Sequence, residues 1–118
     1  GFVAINSNDA TAYPQDSFDN MKLFAREHRF SFPYLHDEDQ SIARAYGAAC
    51  TPDFFGFNAN MRLQYRGRLD ASRREEGPEE LRRDLYEAMV EVARTGNGPR
   101  EQVASIGCSI KWKEGDRA

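Results

Sequence analysis

The sequence has few cysteines, no long apolar run and no large excess of charge of one sign. Two cysteines, Cys50 and Cys108, are too few for a disulfide-rich scaffold, and their wide separation excludes a C-x-x-C pair or a zinc knuckle. The apolar runs fall far short of the roughly 20 residues that a membrane-spanning helix needs. Lys plus Arg number 16 against 19 Asp plus Glu, a net charge of −3. We therefore expect neither a membrane nor a nucleic acid as a partner.

The composition is that of one folded domain. The 118 residues are 40% hydrophobic and 30% charged, and they include 8 Phe, 5 Tyr and 1 Trp. These side chains can fill a core without metal or disulfide support. We predict a single domain over residues 1–118, with a core at 1–99 and a C-terminal tail at 100–118.

The first half of the chain alternates between strand and helix patterns. Residues 2–6 form a short apolar run that is followed by turn formers, which predicts a buried strand. Apolar positions recur at helical spacing from Ser17, and residues 30–35 are typical of extended chain. The acids at 37–39 precede a short predicted helix, residues 40–46, where they complement the helix dipole, and a glycine ends it.

The second half predicts a hairpin and a closing helix. Two stretches that are typical of strands, residues 53–57 and 62–68, are joined by an asparagine-rich turn. Pro78 opens the longest predicted helix, whose apolar face includes Leu81. The order β-α-β-α-β-β-α predicts an α/β fold, in which a mixed β-sheet is flanked by α-helices. In the tail, Ile106, Ile110 and Trp112 are spaced so that they can pack against one surface.

Four segments resemble one known family. They are Phe2-Val3-Ala4-Ile5-Asn6-Ser7-Asn8-Asp9, Phe32-Pro33-Tyr34-Leu35, Ala45-Tyr46-Gly47-Ala48-Ala49-Cys50-Thr51-Pro52-Asp53-Phe54-Phe55 and Ser105-Ile106-Gly107-Cys108-Ser109-Ile110-Lys111-Trp112-Lys113. Together they resemble thioredoxin-like proteins of the redoxin group, in the peroxiredoxin-like branch of the alkyl hydroperoxide reductase/thiol-specific antioxidant superfamily. The resemblance implies a thioredoxin-like fold and a thiol-disulfide oxidoreductase or antioxidant peroxidase.

One part of the family pattern has no counterpart here. The family's first strand and first helix, with the C-x-x-C between them, are absent, and Gly1 is followed at once by a strand-like run. We therefore expect a truncated thioredoxin-like domain that lacks an N-terminal part of its parent protein. The resemblance implies that the nucleophilic thiol lies in the missing part, so this chain alone is expected to be inactive.

The resemblance also implies roles for the residues around Pro52. In such folds a loop that ends in a cis-proline faces the dithiol, and the residue before the proline pairs its backbone with substrate. Thr51 and Pro52 match this substrate-binding position, with a cis bond between them. Cys50 is either a resolving or regulatory thiol or a packed, inert one. Burial in a docked tail explains Cys108, with a redox role as the alternative.

The expected partners are a disulfide or peroxide substrate and a thiol reductant, in the cytoplasm, with no cofactor. The histidine and acids at 36–39 lack metal-ligand spacing, and helix capping explains the acids, so no metal site is expected. Arginines from Arg66 to Arg83 alternate with acids, which predicts a solvated surface of mixed charge. The alternative function is a catalytically silent module that binds a partner or forms a homo-oligomer through an open sheet edge.

Overall fold

The computed structural model describes residues 1–72 and 81–114. These residues form three α-helices, six short strands and one 3-10 turn. The chain divides into two compact units, one made of residues 1–48 together with the chain from Ile110 onward, and one made of residues 49–109. A single domain over the whole chain stays a prediction. No described helix is long and apolar enough to cross a membrane.

The first unit contains a parallel strand pair and two helices. Its elements are β1 (Ala4–Asn6), the 3-10 turn Pro14–Asp16, α1 (Phe18–Glu27), β2 (Tyr34–His36) and α2 (Ser41–Tyr46). In the parallel ladder, Ala4 lies opposite Tyr34 and Asn6 lies opposite His36. The predicted alternation of strands and helices in this half is therefore confirmed, with shorter strands than the apolar runs suggest.

Helix α1 begins where the sequence predicts. The Ser17 side chain accepts a hydrogen bond from the Asn20 N–H at 3.2 Å, which satisfies one amide of the first turn. On the predicted apolar face Met21 is buried, whereas Phe18 and Phe24 are about half exposed. Phe24 makes edge contact with the Phe30 ring, at 5.6 Å between centroids. The helix therefore packs through a narrower stripe than its sequence predicts.

Acidic side chains hold the start of helix α2, as predicted. The buried Asp37 carboxylate accepts hydrogen bonds from the N–H groups of Ile42 at 3.2 Å and Ala43 at 2.9 Å. It also accepts one from the Ser7 hydroxyl at 2.7 Å. Gly47 ends the helix in the left-handed conformation, at φ 68°. The capping role that the sequence assigns to this acidic segment is confirmed for Asp37.

The described part of the second unit contains two antiparallel strand pairs and one helix. Its elements are β3 (Cys50–Thr51), β4 (Phe54–Phe57), β5 (Leu63–Gly67), α3 (Asp84–Thr95) and β6 (Cys108–Ser109). Strands β4 and β5 form the predicted hairpin, with a register shift between Gly56 and Phe57. The Asn58 side chain holds the turn by accepting the N–H groups of Asn60 at 2.9 Å and Arg62 at 3.1 Å.

Helix α3 begins later than the sequence predicts. Pro78 lies outside the described residues. Leu81, predicted on the apolar face of the helix, precedes its first residue, Asp84. The physical reason is a set of competing backbone contacts: the Arg82 carbonyl accepts the Ala71 N–H at 2.9 Å, and the Leu69 carbonyl accepts the Leu85 N–H at 3.1 Å. These bonds hold residues 82–85 against the segment after β5.

The core of this unit lies between α3 and the hairpin. Ala88 and Val92 of the helix and Tyr65 of β5 are buried. The Tyr65 hydroxyl donates to the Arg68 carbonyl at 2.6 Å, so its polar end has a partner. Gly96 ends the helix at φ 80°, where the sequence places its end. The predicted α/β fold class is thus confirmed, but the described strands form three separate two-stranded sheets, one parallel and two antiparallel, where the sequence predicts one mixed sheet.

Candidate functional site

The loop from Cys50 to Pro52 is extended at Cys50 and Thr51 and turns at Pro52. The peptide bond between Thr51 and Pro52 is cis, the geometry that the resemblance implies. Strand β3 pairs in antiparallel register with β6, so that Thr51 lies opposite Cys108 and Cys50 lies opposite Ser109. The Thr51 hydroxyl also donates to the Cys108 carbonyl at 3.3 Å. The candidate substrate-binding residue therefore already has an extended segment paired with its backbone.

A cleft of about 310 Å³ opens beside this loop within the second unit. Its walls come from the loop, from strand β5 and from the chain that returns towards β6. The lining residues are Ala49, Cys50, Asp53, Arg66, Gly67, Gln102, Ala104 and Ser105. The cleft thus brings a thiol, a carboxylate, a guanidinium and a hydroxyl together.

The carboxylate of Asp53 is the most buried charge in this cleft wall. Its side chain is 6% exposed, and its Oδ2 lies 3.2 Å from Nη2 of Arg66, whose side chain is 42% exposed. Oδ2 also accepts the Ala49 N–H at 3.4 Å, and Oδ1 accepts the Ser105 hydroxyl at 3.1 Å. The Gly67 carbonyl also lies within hydrogen-bond distance of the Ser105 hydroxyl, at 2.6 Å, and the single hydroxyl proton can be donated to only one of these two acceptors at a time.

The surroundings of the Cys50 thiol favour its protonated form. Its Sγ is half-buried and donates a weak hydrogen bond to the Pro52 carbonyl at 3.8 Å. Burial, and then the negative charge of Asp53, raise the pKa of this thiol above its usual value, and Arg66 partly offsets them. A raised thiol pKa leaves little thiolate at neutral pH, so Cys50 lacks the activation that a nucleophilic cysteine needs.

Cys108 is not buried, although the sequence predicts that it is. It is exposed, and so is Ile106 beside it, at 91%. The prediction that a docked tail buries Cys108 is therefore wrong. Strand β6 lies at the edge of a two-stranded ladder, and the chain first reaches a buried position at Ile110. Because neighbouring residues along a strand face opposite sides, the side chains of Cys50 and Cys108 point to opposite faces of this ladder.

The end of the tail packs on the first unit, as predicted. Ile110 is buried, and the Arg44 guanidinium stacks over the Trp112 ring at 4.6 Å. The Gln40 side chain, which is fully buried, donates to the Lys111 carbonyl at 2.9 Å and accepts the Lys113 N–H at 3.0 Å. The predicted packing is thus confirmed for residues 110–113, whereas Ile106 takes no part in it.

Sequence reasoning missed the charged and polar residues of the cleft. Arg66 was predicted on a solvated surface, but it pairs with a buried carboxylate. Outside the cleft, Arg68 likewise pairs with buried Asp84, at 3.1 Å. The one available signal was Asp53 itself, an acid placed directly after Pro52 at the start of an apolar strand. Within residues 1–72 and 81–114, no three His, Cys, Asp or Glu side chains are placed to hold a metal ion.

The fold, together with the similarity to known proteins, defines the class of protein to which the chain belongs. The model of the AhpC/TSA family matches residues 2–66 of the 118, and the chain belongs to that family. The chain is thus a member of the redoxin superfamily with a thioredoxin-like α/β fold, as predicted.

Two solved structures are similar over nearly the whole chain. A hypothetical protein from Sinorhizobium meliloti is 45% identical, with a TM-score of 0.86, over 96% of this chain and 62% of its own. An uncharacterized conserved protein from Geobacillus kaustophilus is 50% identical, with a TM-score of 0.86, over 97% of this chain and 60% of its own. The chain therefore spans about three fifths of the length of both. No curated protein matches it.

Proposed function

We propose that the chain is part of a cytoplasmic thiol-disulfide oxidoreductase or thiol peroxidase and supplies its substrate-facing loop, Cys50 to Pro52. The observation that carries this proposal is the ladder between β3 and β6. The Thr51 backbone pairs there with an extended segment that carries a cysteine. A peptide substrate held by strand addition would lie in the same manner.

The nucleophile in this proposal is a thiolate other than Cys50, because the pKa of the Cys50 thiol is raised. It would lie in the part of the relatives' length that this chain does not span. In disulfide exchange the thiolate attacks one sulfur of the substrate and releases the other as a thiolate. A second thiol then attacks the mixed disulfide, and the thiol reductant restores both thiols. Cys50 is a candidate for the second, resolving thiol or for a regulatory one.

The peroxide reaction differs in its first step. The thiolate attacks the terminal peroxide oxygen, the O–O bond breaks, and the leaving oxygen takes a proton to become an alcohol or water. The sulfur becomes a sulfenic acid, which condenses with a second thiol to a disulfide and releases water. The same thiol reductant serves both reactions, and neither reaction needs a cofactor.

The test compares the protein made from its complete reading frame with the 118-residue chain. Insulin reduction and peroxide consumption are measured with a thiol reductant in excess. We expect the complete protein to turn over at least one substrate tenfold faster than the chain does. If Cys50 is the resolving thiol, Cys50→Ser slows steady-state turnover but leaves the first substrate turnover intact. A complete protein that turns over neither substrate contradicts the proposal.

A silent interaction module is the second candidate, and one observation favours it. Ile5 and Leu35 lie directly opposite each other on the β1–β2 ladder and are 40% and 46% exposed. Paired exposed apolar side chains are a feature of association surfaces. This candidate predicts that the chain self-associates with rising concentration and that Leu35→Lys prevents it. The control is Met61→Lys, at a position that is 77% exposed in the second unit.

A further inference from the structure

We propose that Asp53 is the positioning residue of the loop from Cys50 to Pro52 and that, with Arg66, it sets the reactivity of the Cys50 thiol. This role deepens the proposed function and rests on it only in taking the loop as substrate-facing. The contacts that support it and the experiment that tests it involve this chain alone.

The Asp53 carboxylate is buried in the wall of the cleft. A carboxylate that is 6% exposed must be paired, because an unpaired buried charge is strongly unfavourable. Its three partners come from different parts of the unit: Ala49 before the loop, Arg66 on β5 and Ser105 on the returning chain. One side chain therefore ties the loop to two other segments.

The Asp53 carboxylate also closes the loop on itself. The bond from the Ala49 N–H to Oδ2 of Asp53 spans the three residues between them. Inside this closed segment the Cys50 Sγ lies 3.8 Å from the Pro52 carbonyl. A displacement of the Asp53 carboxylate therefore shifts both the thiol and the backbone of Thr51.

The charges of Asp53 and Arg66 act on the Cys50 thiol with opposite signs. Among the described residues, the charged groups that act on the Cys50 thiol are Asp53, which raises its pKa, and Arg66, which lowers it. Loss of the negative charge and loss of the positive charge should therefore change thiol reactivity in opposite directions. A general loosening of the loop would expose the thiol and increase its reactivity in both cases.

The experiment measures the rate at which iodoacetamide alkylates Cys50, as a function of pH, in the chain with Cys108→Ser. We expect Asp53→Asn to increase the rate at mildly alkaline pH, by up to about tenfold for each unit by which the thiol pKa falls. Arg66→Gln should decrease the rate and move the profile to higher pH, and Arg66→Lys should restore the parental profile. The control is Glu91→Gln, an exposed position on α3, which should leave the rate unchanged.

Equal increases of the alkylation rate in Asp53→Asn and Arg66→Gln would overturn the proposal. Profiles of rate against pH that do not move in these variants would overturn it as well. If Asp53→Asn fails to fold by circular dichroism, the Arg66 variants decide: slower alkylation with Gln and parental alkylation with Lys support it, whereas faster alkylation with Gln overturns it. Failure of the proposed function would appear as a complete protein without turnover, and it would leave these profiles unchanged.

Discussion

Gln40 is a buried residue whose side chain contacts the end of the tail at two points. It is fully buried and has a left-handed backbone, at φ 64°. Its Nε2 donates to the carbonyls of Ser7 at 2.7 Å and Lys111 at 2.9 Å, and its Oε1 accepts the Lys113 N–H at 3.0 Å. Both ends of the amide are thus used, as a buried amide requires.

We predict that Gln40→Ala lowers the free energy of unfolding by about 2 to 4 kcal/mol, because it leaves buried backbone groups without partners. Gln40→Glu should be at least as destabilising at neutral pH, since a carboxylate cannot donate to the two carbonyls. Urea unfolding of both variants provides the measurement, with Gln15→Ala at an exposed position as the control. An Ala variant as stable as the control would show that water replaces the amide.

The two thiols should differ in reactivity. Cys108 is exposed, whereas Cys50 is half-buried with a raised pKa. At pH 8 we expect iodoacetamide to label Cys108 about tenfold faster than Cys50 in the folded chain, because Cys108 is exposed and the raised pKa of Cys50 leaves little of its reactive thiolate. Peptide mass spectrometry of timed samples checks the ratio, and unfolding in urea should abolish it. Faster labelling of Cys50 would make it the activated thiol.

Sequence predicted some of these residues and not others for a physical reason. Asp37 caps a helix a few residues away, and such local contacts leave a pattern along the chain. Ser105, a partner of Asp53, and Lys113, a partner of Gln40, lie tens of residues away in sequence, on segments that only the folded chain brings together. Cys108 was misplaced because apolar neighbours do not reveal which side of an edge strand faces solvent.

At the scale of elements, the tail offers a matched pair of isoleucines. Ile110 is 5% exposed and Ile106 is 91% exposed. We predict that Ile110→Ala lowers the free energy of unfolding by about 2 to 4 kcal/mol, whereas Ile106→Ala changes it by less than about 0.5 kcal/mol. Chemical denaturation of the two variants side by side measures the difference. Equal effects would mean that the tail does not pack as described.

The start of helix α2 should make stability depend on pH in acid. The Asp39 carboxylate accepts the Ser41 N–H at 3.0 Å, and hydrogen bonds from Ser41 lower the pKa of this carboxyl. A folded-state pKa below the unfolded one stabilises the fold above about pH 4, and this contribution is lost as pH falls through the folded value.

At neutral pH the midpoint of thermal unfolding should therefore be lower for Asp39→Asn than for the parent. This difference between the midpoints should shrink as the pH falls below about 4. The same direction is expected for Asp70→Asn, because hydrogen bonds from Ser72 lower the pKa of Asp70. A difference between parent and variant that stays constant across this range would show that the carboxylate charge contributes nothing.

Elements were predicted well where local signals were strong. The hairpin and the end of α3 follow from turn asparagines and a left-handed glycine, which act within a few residues. The start of α3 was wrong because backbone hydrogen bonds from Ala71 and to Leu69 compete with the helical pattern. Tertiary contacts thus overrode a local preference.

At the scale of the whole molecule, family membership and the thiol environments lead to one expectation. The chain belongs to a redox family and spans about three fifths of two similar structures. Of its two thiols, Cys50 lies in a strand, and its raised pKa leaves little thiolate at neutral pH. Cys108 lies on an exposed edge strand, not at the start of a helix.

We therefore predict that the isolated 118-residue chain reduces insulin and consumes peroxide no faster than an equal concentration of a simple thiol does. Cys50→Ser and Cys108→Ser should each leave these low rates nearly unchanged, because the pKa of Cys50 is raised and Cys108 does not lie at the start of a helix. The two assays are run on chain whose thiols have first been titrated, so that oxidation cannot account for inactivity. Rapid turnover that disappears in Cys50→Ser alone would make Cys50 the nucleophile and would move the active thiolate into this chain.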